Sequence, residues 1–263
     1  MLYSTPLVTV YLIALTALVG LVMGSFLNCA AIRIVHDEPL ARGRSHCMSC
    51  GHTLSARELV PLFSWLFQRG RCRWCGAHIS ARYPLSELVA ALVFVSVLLR
   101  FDVSWMALQM AVLASLVLCA AFADLEDFII PDRLIVAGIV CRLVFVLADG
   151  DRWNLLLRSV IGGLSISLPL LLISILGDKI LKKETMGGGD IKLLFMIGLY
   201  FTWSVNLFGF LVACVVGILF GLIARNHRDE DRHFPFGPAI AVGAWVAMLV
   251  GETVIQWYLG LFL

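Results

Sequence analysis

Charged residues are scarce in this chain of 263 residues. Asp, Glu, Lys and Arg make up 14% of it, against roughly 25% in soluble domains. None precedes Arg33, and 60% of all residues are hydrophobic. This shortage of charge excludes an ordinary soluble enzyme and a disordered protein, and a net charge of +2 gives no reason to expect a nucleic acid as partner. The composition predicts a polytopic membrane protein.

Long uncharged stretches recur along the chain, and each reaches the ~18 residues that indicate a membrane span. After the first, which ends before Arg33, they are Val103–Ala123, Ser159–Gly177, Leu193–Ala224 and Phe234–Gly251. Leu193–Ala224 would be about 48 Å long as a helix, so we divide it near Thr202–Asn206 into two spans. Leu88–Leu99 and Phe128–Ala148 are weaker candidates. The sequence therefore predicts an all-α polytopic membrane protein of about eight transmembrane helices.

One sizeable polar insert separates the first two predicted spans. Its 33–84 segment contains eight Arg residues against three acidic ones. Short loops rich in Lys and Arg remain in the cytoplasm, so the insert is expected there. No basic region precedes the first apolar stretch, which favours a retained helix over a cleaved signal peptide. We divide the chain into a first transmembrane helix (1–32), a cytoplasmic module (33–84) and a membrane-embedded domain (85–263).

Four of the eight cysteines lie in this insert, as two CxxC pairs: Cys47 with Cys50, and Cys72 with Cys75. Two such knuckles supply four thiolates tetrahedrally to Zn²⁺. Disulfides are the alternative, but a reducing cytoplasm disfavours them, and two CxxC copies without a βαβ pattern disfavour a redox motif. Because four thiol ligands close a zinc site, we expect a structural zinc that stabilises the small module.

Acidic residues cluster at two predicted span ends on the same side of the membrane. One cluster runs from Asp124 to Asp132, and the other is Asp190 after the glycines 187–189. Ionisable groups at membrane depth are costly, so they are functional candidates. Two close carboxylates can act as general base and general acid on an amide, and a glycine run lets a substrate strand approach. The spacing leaves open which Asp pairs with Asp190, and each could instead be a helix cap.

Seven blocks of this sequence, in order, resemble the type IV prepilin peptidases, the bifunctional leader peptidase/N-methyltransferases of bacterial pilus and type II secretion systems. The resemblance covers nearly the whole chain. The blocks are Gly24–Asn28, the four-cysteine insert, Arg57–Trp65, Ser80–Glu87, Asp124–Asp132, Gly187–Lys192 (the GxGD block) and Pro235–Pro238.

The resemblance implies an intramembrane aspartic endopeptidase whose catalytic pair is Asp124 and Asp190, with Gly187, Gly189 and Lys192 supporting the active site. Its substrate would be a prepilin or pseudopilin, cut after a short basic leader at the cytoplasmic face of the bacterial inner membrane. The new N-terminal residue would then be methylated with S-adenosylmethionine. Glu58 and Glu87 are our candidates for the methylation step, although no GxGxxG turn marks a site for the methyl donor.

Two other functions remain open from the residues. In the first, the protein is a peptidase alone and its zinc module only aids folding or docking. In the second, it is a transporter or channel with intramembrane carboxylates. Transporter sites usually lie at the bilayer midplane on broken helices, whereas these acidic groups lie at span ends on one side. The oligomeric state is not indicated by the sequence.

Overall fold

The computed structural model describes residues 5–40, 43–182, 186–225 and 235–261, and they are almost entirely helical. The helices are α1 (Pro6–Val35), α2 (Phe63–Phe67), α3 (Arg82–Phe101), α4 (Trp105–Asp127), α5 (Asp132–Ala148), α6 (Arg152–Leu181), α7 (Gly188–Gly198), α8 (Trp203–Arg225), α9 (Gly237–Val246) and α10 (Glu252–Gly260). A 3₁₀ turn covers Ala56–Leu59, and a π turn at Ala247–Gly251 joins α9 to α10. Within these ranges, the extended backbone pairs only at two isolated β-bridges.

The all-α membrane fold with a four-cysteine insert is confirmed. Among the described residues, six helical stretches are long and apolar enough to cross a membrane: α1, α3, α4, α6, α8 and the continuous α9–α10. The other two expected helices are present but shorter, with 17 residues in α5 and 11 in α7. The predicted division of the 193–224 stretch is also found, because α7 ends at Gly198 and α8 begins at Trp203.

The chain forms two compact units, residues 1–107 and 108–263. In the first unit, α1 packs closely on α3 through small residues. A Cβ placed on Gly20 would lie 2.5 Å from the Ala91 Cα, and one on Gly24 would lie 2.7 Å from the Glu87 Cα. Helices in lipid associate through such small residues because no hydrophobic driving force joins them there. The module that contains the four cysteines is the connection between these two helices.

In the second unit, the backbones of α6 and α7 are in direct contact. The space where Gly162 would carry a Cβ is filled by the carbonyl groups of Gly198 and Phe201, and Gly198 is blocked in turn by Gly162. The amide of Asn206, at the start of α8, donates to the Gly162 carbonyl at 2.9 Å. This packing fixes the position of the short helix α7, whose first turn includes Asp190.

A buried polar cluster joins further helices of the same unit. Arg142 of α5 is 7% exposed; it donates to the Ser159 hydroxyl on α6 at 3.0 Å and to the Gln109 amide oxygen on α4 at 2.7 Å. Its guanidinium also lies over the ring of Tyr200, which follows α7. Hydrogen-bonded polar groups of this kind join helices inside a bilayer, where water cannot satisfy them.

Candidate active site and metal centre

The four cysteines of the insert come together at one point. Their sulfur atoms all lie within 4.8 Å of one another, and the Cys47 and Cys75 sulfurs are 3.9 Å apart. A tetrahedral zinc with Zn–S bonds of about 2.3 Å requires sulfurs about 3.8 Å apart. The thiol cluster is therefore close to the size that a metal ion of this kind requires.

The two CxxC pairs adopt the same turn. In the first, the Cys47 N–H donates to the His52 carbonyl and the Gly51 N–H donates to the Cys47 carbonyl; Cys72, Ala77 and Gly76 repeat this pattern. Gly51 and Gly76 have φ of 71° and 73°, which favours glycine at both positions. The N–H groups of Cys50 and Ser49 lower the pKa of the Cys47 thiol to about 6, whereas burial and the three neighbouring thiols raise the pKa of Cys75 to about 11. The thiolate that a metal needs therefore forms first at Cys47.

Glu58 lies at the start of the 3₁₀ turn in the same module. Its carboxylate accepts hydrogen bonds from the Ser55 N–H at 2.8 Å and from the Ser55 hydroxyl at 2.7 Å. These two donors, with Trp74 and His52 contributing less, lower the pKa of Glu58. The side chain therefore remains charged at neutral pH, and it also caps the turn.

Glu87 has a different environment on α3. It is 7% exposed, and its carboxylate accepts the Leu62 N–H at 2.6 Å and a hydrogen bond from the Ser25 side chain. Leu62 has φ 61° and ψ −53°, a conformation that non-glycine residues rarely adopt. Glu87 thus connects α1, α3 and the module, and it holds Leu62 in this conformation.

In the second unit, Asp124 lies at the buried end of α4. It is 5% exposed, and one of its oxygens accepts the Gly237 N–H at 2.7 Å. A Cβ on Gly237 would lie 2.8 Å from that oxygen, so only glycine allows this approach. The first turn of α9 therefore positions Asp124 through the main chain.

Asp190 lies in the first turn of α7, and the Asp124 carboxylate acts on it electrostatically. Of the three glycines before it, two are constrained. A Cβ on Gly187 would lie 3.1 Å from an Asp190 oxygen, and one on Gly189 would lie 3.1 Å from the Ile130 Cβ, whereas Gly188 has open space. The backbone at Gly187 is therefore closely packed against Asp190, and the backbone at Gly189 is closely packed against Ile130.

An ion pair connects Lys192 of α7 with Asp132 of α5. The Lys192 ammonium lies 2.7 Å and 3.0 Å from the two Asp132 oxygens, which ties the start of α5 to the first turn of α7. Both side chains are more than half exposed. Lys192 thus supports the Asp190 segment from its solvent side.

The Asp residues that the sequence left as possible partners of Asp190 differ in their surroundings. Asp132 pairs with Lys192, Asp127 is exposed, and Asp124 is the buried carboxylate that acts on Asp190. Sequence reasoning missed Gly237, which lies in the Pro235–Pro238 block but had no assigned role. A glycine between an aromatic residue and a proline at the start of an uncharged span was the available signal.

Two neighbouring carboxylates in a partly buried setting do not both ionise easily, so one retains a proton while the other can accept one. Such a pair can take a proton from the attacking water and can donate a proton to the leaving nitrogen of an amide. The thiol cluster, by contrast, has four ligands and no open position, which suits a structural metal.

Comparison with known proteins gives two family matches. Residues 18–101 match the bacterial peptidase A24 N-terminal domain, and residues 111–222 match the type IV leader peptidase family. No solved structure matches the chain.

Curated relatives named prepilin leader peptidase/N-methyltransferase align over most of this chain. The one from Aeromonas hydrophila is 37% identical over 86% of this chain and 79% of its own length. The one from Myxococcus xanthus is 39% identical over 87% and 70%, and the one from Bacillus subtilis is 32% identical over 91% and 95%. The protein therefore belongs to the type IV leader peptidase family.

Proposed function

We propose that this protein is a prepilin leader peptidase and N-methyltransferase. Asp124 and Asp190 would cleave the basic leader of a prepilin or pseudopilin, and the new N-terminal residue would then be methylated with S-adenosylmethionine. The observation that carries this proposal is the buried Asp124, which is held by the Gly237 N–H and lies within electrostatic range of Asp190, in a chain whose relatives are named for both activities.

For the peptidase step, one carboxylate accepts a proton from water as the oxygen attacks the scissile carbonyl. The other carboxyl donates its proton to the amide nitrogen, and the carbon–nitrogen bond breaks. Gly187 keeps a side chain away from the Asp190 carboxylate, Gly189 lets the segment pack on Ile130, and the open space at Gly188 leaves room for an extended substrate backbone. Lys192, held by Asp132, fixes the segment on which Asp190 lies.

The 33–84 segment is our assignment for the methyltransferase part, after a first span at 1–32, with the peptidase in 85–263. A zinc ion bound by Cys47, Cys50, Cys72 and Cys75 would hold the module together, and the sulfur spacing supports this. Of the two acidic candidates, Glu58 is the better placed for a charged substrate group, because it is partly exposed and remains ionised. Glu87 is better described as a positioning residue, since its carboxylate is buried and occupied.

The protein is a multi-pass inner-membrane protein, as its spans and its family indicate. We place the module and both carboxylates on the cytoplasmic side, because eight Arg residues lie in 33–84 and none in the first 32 residues. Labelling of a cysteine introduced at the exposed Ala56, outside both CxxC turns, from either side of intact vesicles tests this placement, with the unchanged protein as the background for its native thiols. Access from the periplasmic side alone would contradict it.

The decisive experiment combines purified protein in liposomes, a prepilin with a basic leader, and S-adenosylmethionine. Intact-mass spectrometry of the product should show loss of the leader and a gain of one methyl group. Asp124→Asn and Asp190→Asn should each abolish cleavage while the thiol cluster keeps its metal. Cleavage by either variant at the wild-type rate would refute the assigned pair, and cleavage without methylation would leave a peptidase alone.

A further inference from the structure

The short helix α2 of the cysteine module exposes an apolar face. Phe63, Leu66 and Phe67 are 50%, 52% and 85% exposed, and their spacing puts them on one side of the helix. The opposite side is occupied, because the Trp65 indole N–H donates to the Ile79 carbonyl at 3.1 Å. We call Phe63, Leu66 and Phe67 the α2 face.

The position of α2 along the membrane helices is set by one hydrogen bond. Leu62, the residue before α2, donates its N–H to Glu87, which lies five residues after the start of α3, or about 7.5 Å along the helix. Tyr83 and Leu85 of α3 already expose apolar side chains before that level, at 42% and 61%. The α2 face therefore begins beside the apolar surface of a membrane span.

Contacts between Glu87 and α1 indicate the same position of Glu87 along the membrane helices. Gly24 of α1 packs against the Glu87 Cα, and the Ser25 side chain makes a hydrogen bond to the Glu87 carboxylate. Both residues lie in the part of α1 that precedes its first charged residue, Arg33. Glu87, and with it the start of α2, is thus level with the uncharged part of α1.

The charges beside α2 complement an anionic surface. Arg57 precedes the helix, Arg69 and Arg71 follow it, and all three are exposed. Basic residues next to exposed aromatic and aliphatic side chains are typical of segments that lie in a membrane interface.

We propose that the α2 face is inserted in the interfacial region of the bilayer, with Arg69 and Arg71 on anionic phospholipid head groups. The cysteine module would then lie against the membrane surface as well as being tethered to it. A protein partner is a less suitable occupant, because the bond from Leu62 to Glu87 holds this face at membrane level. The proposal is independent of the peptidase and methylation chemistry.

Photo-crosslinking in the full-length protein tests this directly. Phe67→p-benzoylphenylalanine would be placed in nanodiscs of phosphatidylethanolamine and phosphatidylglycerol, irradiated, and analysed by intact mass. Gln68→p-benzoylphenylalanine is the matched control, since Gln68 directly follows Phe67 at the end of α2 and is half-buried. Leu92→p-benzoylphenylalanine, at an α3 position 58% exposed, is the positive control for lipid contact.

We expect phospholipid adducts at positions 67 and 92 and far fewer at position 68. Adducts at 92 but not at 67 would overturn the proposal, as would equal labelling at 67 and 68. A prepilin added in excess should leave the adduct at 67 unchanged. If position 67 crosslinked to the prepilin in place of lipid, the face would be a substrate surface and the proposal would be wrong.

A second arm tests the charges. Arg69→Gln and Arg71→Gln, each combined with the Phe67 probe, should lower the ratio of phosphatidylglycerol to phosphatidylethanolamine adducts by up to about fivefold, which corresponds to about 1 kcal/mol per basic residue near an anionic surface. The matched change Arg100→Gln, at the other end of α3, should leave that ratio unchanged. An unchanged ratio in both Arg69 and Arg71 variants would contradict the assigned head-group contacts.

Discussion

The thiol cluster and the carboxylate pair differ in how the chain assembles them. The four cysteines lie within one short segment, and each CxxC turn makes its own backbone hydrogen bonds. Asp124, Asp190 and Gly237 come from three helices, and the Asp124–Gly237 contact joins residues 113 apart in the chain. A local motif thus defines the first site, whereas the packing of the whole second unit defines the other.

This difference determines what each site can tolerate. With a metal bound, the thiol cluster would depend on its four ligands and on that one ion, so a single ligand change should destroy it whatever happens elsewhere. The carboxylate pair depends on close main-chain approaches, so residues with no chemistry of their own should matter there as much as the acids. The following four changes test this contrast.

The largest effect is expected from Cys72→Ser, which removes a buried ligand. Structural zinc contributes about 10–16 kcal/mol of apparent binding free energy in small zinc-finger peptides, so the module should lose its metal and its fold. Metal content and proteolysis within residues 36–81 measure this loss, and methylation should disappear. Cys214→Ser, outside the cluster, is the control and should keep its metal; a metal-loaded Cys72→Ser would contradict the four-thiol site.

Next in size is Gly237→Ala, whose new Cβ would press on the Asp124 carboxylate. A displacement of about 1 Å in a catalytic group costs about 10²-fold in rate, so cleavage should fall by that order while metal content stays unchanged. Gly188→Ala, with open space around it, is the matched glycine control and should cleave nearly normally. Equal cleavage by the two variants would show that the main-chain contact does not position Asp124.

A smaller effect is expected from Glu87→Ala, which leaves the Leu62 N–H without its acceptor. A buried unpaired donor costs about 1–3 kcal/mol, so the melting temperature of the protein should fall and methylation should decline more than cleavage. Glu87→Gln retains an acceptor oxygen and should restore most of the loss. A Gln variant as impaired as the Ala variant would indicate that the negative charge itself is required.

The smallest effect is expected from Lys192→Gln, which breaks the ion pair with Asp132. Both side chains are exposed, and such pairs contribute about 0–1 kcal/mol, so cleavage should fall by no more than about fivefold. High salt should lower wild-type cleavage but have little further effect on the variant. A complete loss of cleavage would assign Lys192 a direct role with the substrate.

The contrast also explains what could be predicted from the sequence. The CxxC spacing predicts a metal cluster because the turn is local, and the uncharged stretches predict the membrane helices because lipid requires them. The sequence around Gly237 marked it only as an unusual glycine, because its contact with Asp124 depends on α9 reaching the end of α4. The short lengths of α5 and α7 could not be predicted either, because an apolar stretch of sequence does not show where a helix ends inside a bundle.

The hydrogen bond from Gly237 to Asp124 has a consequence for how this position can vary. The donor is a main-chain N–H, so among the other residues only proline would delete it. Every other side chain would keep the donor but press on the carboxylate. Each substitution at this position therefore loses one requirement or the other, and glycine is the one residue of the twenty that satisfies both.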